Sequence, residues 1–253
     1  MLKKRVIPML LLRDGRMVKG VNFDNYRDTG NPATAVRIYT AQDTDELVFL
    51  DIEASLNSRT ALVDVVREAA LECFMPLAAG GGINSIKDVR ELLLAGADKV
   101  VITTSAVTNP KLIAQVAERF GNQCVVAGID YRTTEGRSKV WIRCGTEETK
   151  LDPLEHAHSL VESGAGEILL NCIDRDGKME GYDLLMAEKV SSAVQVPVII
   201  AGGAGNFAHL AELLGETSAS AAACASLFHF GDNNPIRARS YLKNLNIPNR
   251  VLK

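Results

Sequence analysis

The chain contains 253 residues, of which 47% are hydrophobic and 23% are charged, and its formal net charge at pH 7 is −3. A chain of this length and composition can bury a large core, which excludes a disordered or low-complexity protein. Because its charges nearly balance, we expect neither a nucleic acid nor a membrane as a partner. Five widely spaced cysteines form no Cys-x-x-Cys pair, which favours reduced thiols in a cytoplasmic protein and argues against a metal site.

The amino-terminal segment predicts a buried strand and not a secretion signal. Its apolar run, residues 6–12, contains Pro8 and stops at charged residues without a small-residue cleavage site. The longest uncharged stretch, residues 190–211, holds three glycines and Pro197, which argues against a membrane span.

Short apolar runs recur about every thirty residues and predict eight strands. They cover residues 6–12, 47–52, 75–79, 99–103, 124–130, 167–172, 196–201 and 219–225. Amphipathic segments lie between them, and several begin with a capping residue followed by proline, as at Asn31-Pro32, Asn109-Pro110 and Asp152-Pro153. Residues 237–253, with repeated Arg and Lys, predict a solvated final helix.

This alternation predicts an α/β fold, one (βα)8 TIM barrel that occupies residues 1–253 as a single domain. Continuous apolar strands separated by helices are typical of parallel sheets that are buried on both faces. Eight such units in a chain of this length fit a closed barrel. A doubly wound open sheet is the alternative, although no G-x-G-x-x-G motif follows the first strand.

An internal repeat predicts two similar half-barrels, approximately residues 1–122 and 123–253. Three dipeptides at strand ends recur at an offset of 120 or 121 residues: Leu50-Asp51 with Leu170-Asn171, Gly81-Gly82 with Gly202-Gly203, and Thr104-Ser105 with Ala225-Ser226. A single Gly-Gly pair would end a strand in many α/β proteins, but the constant offset across three pairs favours a repeat.

The glycine-rich strand ends predict two phosphate sites on one rim of the barrel. Residues 79–82 and 201–205 are mostly glycine, which lets a phosphate approach the backbone closely. In such barrels the loops after the strands build the active site, so two opposed cradles suit a ligand with a phosphate at each end. Lys19, in a long polar loop over residues 13–30, could fold over one end, although most loop lysines are merely solvated.

The sequence resembles the cyclase subunit of imidazole glycerol phosphate synthase. The likeness runs nearly end to end and is carried by ordered segments: R-V-I-P (5–8), R-D-G-R-M-V-K-G-V-N-F (13–23), D-E-L-V-F-L-D-I (45–52), G-G-G-I (80–83), A-G-A-D-K-V (95–100), A-G-I-D (127–130), G-A-G-E-I-L-L (164–170), D-R-D-G (174–177), G-Y-D-L (181–184), A-G-G-A-G (201–205) and S-L-F-H-F-G (226–231).

The resemblance implies a barrel of histidine biosynthesis that is paired with a separate glutaminase subunit and needs no cofactor. Ammonia would enter at the bottom, cross the barrel core and attack a bisphosphorylated ribulosyl-formimino-carboxamide nucleotide at the top. The products would be imidazole glycerol phosphate and an aminoimidazole carboxamide ribotide. The chain has no glutaminase nucleophile motif of its own, so another subunit would supply the ammonia.

In this family, two carboxylates at the ends of the first and fifth strands serve as acid and base in ring closure. Asp130 matches the second of them, whereas the first falls at Leu11, which cannot carry a proton. Asp14 is displaced from that position by roughly 10 Å of extended chain, and we expect it to start an Asp-Gly turn with Gly15. Asp176 matches an auxiliary acid of the family, or else it caps a helix.

The predicted phosphate-binding residues lie at both glycine-rich ends of the rim. They are Lys19, Gly81, Gly82, Thr104, Gly202, Gly203, Ala225 and Ser226. Lys19 is included because its loop could fold over one end of the ligand, and Gly202 because it lies in a glycine-rich strand end. The other six match phosphate-binding positions of the family. Three rim positions depart from the family pattern: Thr103 stands where it usually has Asn, Glu53 where it has Thr, and Ala201 where it has Ser.

At the opposite end, the family closes the barrel with a ring of charges that gates ammonia. All four matching positions are charged here: Arg5, Glu46, Lys99 and Glu167. Alternating charges can neutralise one another in a low-dielectric ring, although single charges commonly flank buried strands. Asp98 and Gln123 match the face on which the glutaminase of the family docks.

Three functions follow from these observations. The chain could be a cyclase subunit despite Leu11, although losing one acid or base typically costs about 10²–10⁴ in rate. It could instead keep the ammonia conduit and serve a sugar amidotransferase that makes acetamidino sugars for surface polysaccharides, because paralogues of this kind also have a leucine-rich first strand. It could also be a non-catalytic scaffold that binds a phosphorylated ligand and regulates a glutaminase. The missing carboxylate favours the second.

Overall fold

Residues 3–56, 63–229 and 232–250 are described in a computed structural model of the chain. Twelve strands lie in these residues: β1 (Arg5–Arg13), β2 (Arg16–Val21), β3 (Asp24–Gly30), β4 (Leu47–Asp51), β5 (Leu77–Gly80), β6 (Lys99–Ile102), β7 (Val125–Thr134), β8 (Arg137–Ile142), β9 (Glu147–Glu148), β10 (Glu167–Cys172), β11 (Val198–Ala201) and β12 (Ala221–Cys224).

Eight of these strands close into a parallel barrel, which confirms the predicted fold. Around the barrel they follow in the order β1, β4, β5, β6, β7, β10, β11 and β12. β12 then pairs in parallel with β1, so the sheet has no open edge. All eight predicted apolar runs are barrel strands, because each is short, apolar and buried on both faces.

Ten α-helices lie in the described residues, most of them in the connections between barrel strands. They are α1 (Pro32–Ala41), α2 (Val63–Ala70), α3 (Ile86–Leu94), α4 (Thr104–Thr108), α5 (Lys111–Phe120), α6 (Pro153–Glu162), α7 (Leu184–Ser191), α8 (Phe207–Glu216), α9 (Ser226–His229) and α10 (Pro235–Asn244). Asn31 caps α1 and Asp152 caps α6, each followed by proline, as the sequence predicts. α5 begins one residue later than predicted, at Lys111.

The barrel strands separate two apolar cores. Along β1, Val6 and Leu10 pack into the outer core beneath the helices, whereas Ile7, Met9 and Leu11 belong to the inner core. This division follows from the alternation of side chains along a strand. The inner core is filled by apolar residues from all around the barrel, including Val48, Val101, Val126, Leu169, Ile199, Ala221 and Ala223.

Residues 13–30 form an antiparallel hairpin, so the prediction of a long polar loop is wrong. Arg13 pairs with Arg16 across Asp14-Gly15, where both residues have positive φ (49° and 76°), and this confirms the predicted Asp-Gly turn. β2 then pairs antiparallel with β3. Met17 and Val18 are buried, and their burial fixes this mostly polar segment above one end of the barrel.

The carboxyl-terminal helix is shorter and less solvated than predicted for residues 237–253. α10 ends at Asn244, because Asn246 has a positive φ of 58° and Pro248 cannot continue a helix. Arg239 is only 1% exposed and donates hydrogen bonds to Asp45 and to the carbonyl oxygen of Gln42. Residues 251–253 lie outside the described part. Among the described helices, none has the length and apolar character that crossing a membrane requires.

Candidate functional site

A cavity opens at the carboxyl ends of the barrel strands, the end at which such barrels carry their active sites. The space within it is about 870 Å³, which includes the open solvent at its mouth. Its lining joins an apolar floor to a polar rim and includes Leu11, Tyr26, Asp51, Gly81, Gly82, Thr104, Asp130, Cys144, Asn171 and Asp176.

Asp130 lies in the wall of this cavity, on β7. It is partly buried, and Asn171 on the neighbouring strand β10 donates a 3.1 Å hydrogen bond from Nδ2 to its Oδ1. Burial raises the pKa of Asp130 to about 7, while the Asn171 hydrogen bond opposes this rise and the charge of Asp176 adds to it. A carboxyl group with such a pKa can accept and donate a proton near neutral pH.

Asp176 is held by a buried ion pair with Lys19. The Lys19 Nζ atom lies 2.8 Å from Oδ1 and 2.6 Å from Oδ2 of Asp176, and the two side chains are 1% and 4% exposed. Burial raises the pKa of Asp176, and the Lys19 ammonium opposes that rise. Asp176 does not cap the helix that follows, because the Asp183 carboxylate accepts from Met186 at the start of α7.

Leu11 faces the cavity from the first strand and is 4% exposed. It belongs to the inner core, against which Leu50 and Tyr26 also pack. Asp14 is exposed at the hairpin turn, away from this core. The side chains that β1 itself contributes to the cavity, Met9 and Leu11, are therefore apolar, as the sequence predicts for Leu11.

Three carboxylates line the cavity among the described residues: Asp51, Asp130 and Asp176. Asp51 Oδ1 accepts hydrogen bonds of 3.1 Å from the backbone N–H groups of Glu53 and Ala54, which ties it to the turn after β4. Asp176 is tied to Lys19. Asp130 is therefore the cavity carboxylate whose position and pKa best suit proton transfer.

The first predicted phosphate cradle is assembled at the rim of this cavity by Gly81, Gly82 and Thr104. Gly81 has a φ of +117°, and a Cβ atom added there would lie 2.8 Å from Cβ of Asp51. Only glycine fits this position without displacing the strand end. Thr104 begins α4, and its Oγ1 accepts the backbone N–H of Arg143 at 3.1 Å.

The second predicted cradle surrounds a smaller cavity of about 240 Å³, which is lined by Lys19, Gly202, Gly203, Ala225 and Ser226. Gly203 has a φ of +117°, and an added Cβ atom would lie 2.6 Å from the carbonyl carbon of Gly181. Met9 and Asp176 line both cavities, so the two lie next to each other. The structure thus groups the predicted phosphate residues into two neighbouring sets.

The sequence did not identify Tyr26, Cys144 or Asn171 as cavity residues. The Tyr26 hydroxyl lies 3.7 Å from Cys144 Sγ, and this contact joins β3 to the segment after β8. Burial raises the pKa of Tyr26 above its usual value and that of Cys144 to about 11, so both are uncharged at neutral pH. The internal repeat could have indicated Asn171, since it pairs that residue with Asp51 at a strand end.

A closed ring of ion pairs lies at the opposite end of the barrel. Glu46 accepts from Arg5 at 2.5 Å and from Lys99 at 2.7 Å, and Glu167 accepts from Arg5 and, at 2.9 Å, from Lys99. Burial acts to lower the pKa values of Arg5 and Lys99, but the two carboxylates outweigh it and raise both. The four predicted gate residues therefore meet in one ring, in which each basic side chain contacts both carboxylates.

Asp98 and Gln123, the predicted docking residues, are exposed at this same end. Asp98 accepts a 2.9 Å hydrogen bond from the backbone N–H of Leu77, and Gln123 donates one of 3.2 Å to the carbonyl oxygen of Phe120. Both side chains lie beside the amino ends of barrel strands, so a partner that covers the ring would also cover them.

Histidine, cysteine, aspartate and glutamate side chains do not gather into a metal-ligand group of three or more in the described part of the chain. His156 is buried on α6, and burial lowers its pKa to about 4.

Comparison with known proteins agrees with this arrangement. Residues 5–234 match a protein family described as "Histidine biosynthesis protein". Two relatives, from strains NA1000 / CB15N and ATCC 19089 / CIP 103742 / CB 15 of Caulobacter vibrioides, are each named "Imidazole glycerol phosphate synthase subunit HisF". Each is 49% identical over 253 residues, covering 99% of this chain and 97% of the relative. The chain thus belongs to the histidine biosynthesis protein family and, within it, to the HisF type of barrel.

Proposed function

We propose that this chain is the cyclase subunit of an imidazole glycerol phosphate synthase, working with a separate glutaminase subunit that supplies ammonia. The full-length similarity to subunits that carry this name supports the proposal. The structural observation that carries it is Asp130, a carboxyl group with a pKa of about 7 in a cavity beside two glycine-lined cradles.

The proposed route for ammonia runs along the barrel axis. The ring of Arg5, Glu46, Lys99 and Glu167 forms its floor. Above the ring, the inner core is apolar, so it favours neutral ammonia over ammonium and other ions. Ammonia that leaves this core reaches the cavity at the level of Leu11, Asp130 and Asn171.

The proposed chemistry at the top is proton transfer during ring closure. A substrate with two phosphates would place one in the cradle of Gly81, Gly82 and Thr104 and the other near Lys19 and Gly203. Its reactive centre would then lie over Asp130. The carboxylate would take a proton from the attacking nitrogen, and the carboxyl group would return one to the oxygen that leaves as water.

Genetic complementation tests this proposal. The gene should restore growth without histidine in a bacterial strain that lacks its cyclase, and the Asp130→Asn variant should not. Purified protein with ammonium ions should form imidazole glycerol phosphate from the bisphosphorylated nucleotide. Failure in both assays, by a folded protein, would refute the cyclase function.

Leu11 favours a second candidate, in which the barrel delivers ammonia to a different acceptor. Leu11 carries no acid or base at the position where the family has its first carboxylate, while all four charges of the floor are present. In this candidate a glutaminase feeds the barrel, and a sugar amidotransferase uses the ammonia to make an acetamidino sugar.

Reconstitution separates the two candidates. Glutamine-dependent amidination of a nucleotide sugar by the chain, its glutaminase and an amidotransferase, together with absent cyclase activity, would establish the second. Cyclase activity at a rate that supports growth would exclude it.

A further inference from the structure

The inference concerns Asn171, which ends the inward-facing row of β10 beside Asp130. The two residues are direct register partners in the parallel pairing of β10 with β7. Asn171 is 5% exposed, and its Nδ2 donates the 3.1 Å hydrogen bond to Asp130 Oδ1. A donor in this position stabilises the charged form of the carboxyl group.

The other end of the same carboxamide has an unsatisfied acceptor. Asn171 Oδ1 is buried and accepts no hydrogen bond. It faces the bare backbone of Gly202, where an added Cβ atom would lie 3.1 Å from it. Buried polar atoms without a partner are rare in folded proteins, and each one requires an explanation.

Three other polar side chains that line the cavity with Asp130 have partners of their own. Asp176, from the segment after β10, is bound to Lys19 of β2. Tyr26 of β3 and Cys144 from the segment after β8 contact each other. Asn171 differs from these three in that its side chain donates a hydrogen bond to Asp130, so we expect it to respond when Asp130 gains or loses a proton.

We propose that Asn171 is a positioning residue that supports both protonation states of Asp130 by turning its carboxamide over. While Asp130 is a carboxylate, the Asn171 Nδ2 atom donates a hydrogen bond to it. After Asp130 has taken a proton, a half-turn about the last side-chain bond presents Oδ1, which accepts the new O–H. The half-turn breaks no hydrogen bond to Oδ1, because Oδ1 accepts none while Asp130 is a carboxylate.

This inference rests on the proposed role of Asp130 as the proton-carrying group, but its test needs neither substrate nor glutaminase. The carboxyl carbon of Asp130 can be followed by ¹³C NMR in the free protein between pH 4 and pH 9. Its wild-type midpoint should lie near 7. The Asn171 side-chain amide signals should shift with the same midpoint, because the carboxamide turns as Asp130 titrates.

Two variants distinguish this role from a merely structural one. Asn171→Leu removes both donor and acceptor and should raise the Asp130 midpoint by roughly one to two pH units, since the charged form loses its donor. Asn171→Ser keeps a group that can donate and accept, so it should stay within about half a unit of wild type. Asn122→Leu, which changes an exposed amide at the other end of the barrel, is the matched control and should leave the midpoint unchanged.

The result can overturn the proposal in two ways. An Asn171 amide signal that does not follow Asp130 in the wild-type protein excludes the half-turn, even if the Leu variant fails to fold. Equal midpoint shifts in the Leu and Ser variants would assign Asn171 to packing alone. If the Asp130 titration midpoint and the Asn171 amide signals change as expected but the protein has no cyclase activity, the proposed function is refuted and this inference is retained.

Discussion

Lys19 of the β2–β3 hairpin and Asp176 of the segment after β10 form an ion pair that is nearly inaccessible to solvent, at 1% and 4% exposure. Next to it, the backbone N–H of Asn22 donates to the carbonyl oxygen of Asp176 at 2.8 Å. These contacts fix the hairpin over the cavity, so the only lysine in residues 13–30 is held in the lining of the second predicted cradle.

Breaking this pair should destabilise the protein strongly. Lys19→Met leaves the buried Asp176 carboxylate without its cation and should lower the free energy of unfolding by about 3–5 kcal/mol, measured by urea denaturation at pH 7. Arg16→Met is the matched control on the same hairpin, because its ion pair with Asp28 is about half exposed, and it should leave the free energy of unfolding nearly unchanged. Equal losses in the two variants would contradict the importance of the buried pair.

Asp130→Asn should stabilise the protein in a pH-dependent way. The folded-state pKa of Asp130, about 7, lies above the ordinary value of 3.8, so the folded protein disfavours its charged form. Wild-type stability should therefore fall relative to the variant as the pH rises from about 4 to 7. The variant should be more stable by roughly 1–2 kcal/mol at pH 8 and equal to wild type below about pH 4, as thermal melts would show. A constant difference across this range would mean that Asp130 does not titrate as described.

Leu11→Asp should raise cyclase activity, because it restores a proton-carrying group opposite Asp130. We expect an increase of up to about 10²-fold in turnover with ammonium ions, together with a lower melting temperature, since a carboxylate replaces an apolar side chain of the inner core. Leu11→Asn introduces a side chain of the same shape as aspartate that cannot ionise, so it should not increase turnover. An unchanged turnover rate in Leu11→Asp would mean that the rim of this barrel differs from the rim of an active cyclase at more than one residue.

Lys99→Ala should uncouple glutamine hydrolysis from use of the ammonia. The change leaves Glu46 and Glu167 with Arg5 as their one remaining partner in the ring, so the barrel floor would become more negative and disordered. With the glutaminase bound, the fraction of released ammonia that reaches the product should fall severalfold, whereas activity with added ammonium should persist. Lys111→Ala, an exposed lysine on α5, is the control. Normal transfer in Lys99→Ala would contradict the conduit.

Gly203→Ala should weaken phosphate binding. The added Cβ atom would meet the backbone of Gly181 and distort the second cradle, so affinity for inorganic phosphate should drop by about tenfold in calorimetric titrations, a loss near 1.4 kcal/mol. Gly136 also has a positive φ, 73°, but in Gly136→Ala nothing lies within 4 Å of the added Cβ. It should lose some stability and no phosphate affinity. Equal affinities in the two variants would exclude the cradle.

The sequence by itself determined the barrel. Eight apolar runs with helices between them leave few alternatives to a parallel sheet, and local features such as Asn31-Pro32 and Asp14-Gly15 depend on neighbours in the chain. The repeat also indicated which strand ends carry glycine. Leu11 and Asp130 were identified through the resemblance to the cyclase family, and the parallel strands of the predicted barrel imply that both lie on one rim.

Only the tertiary structure decided which of these residues touch. The bond between Asn171 and Asp130 spans 41 residues and that between Lys19 and Asp176 spans 157, and no local pattern encodes such contacts. The hairpin was missed because its strands are stabilised by burial against the barrel and not by their own composition. Burial also sets the pKa of Asp130, since the cost of a charge depends on everything packed around it and not on its neighbours in sequence.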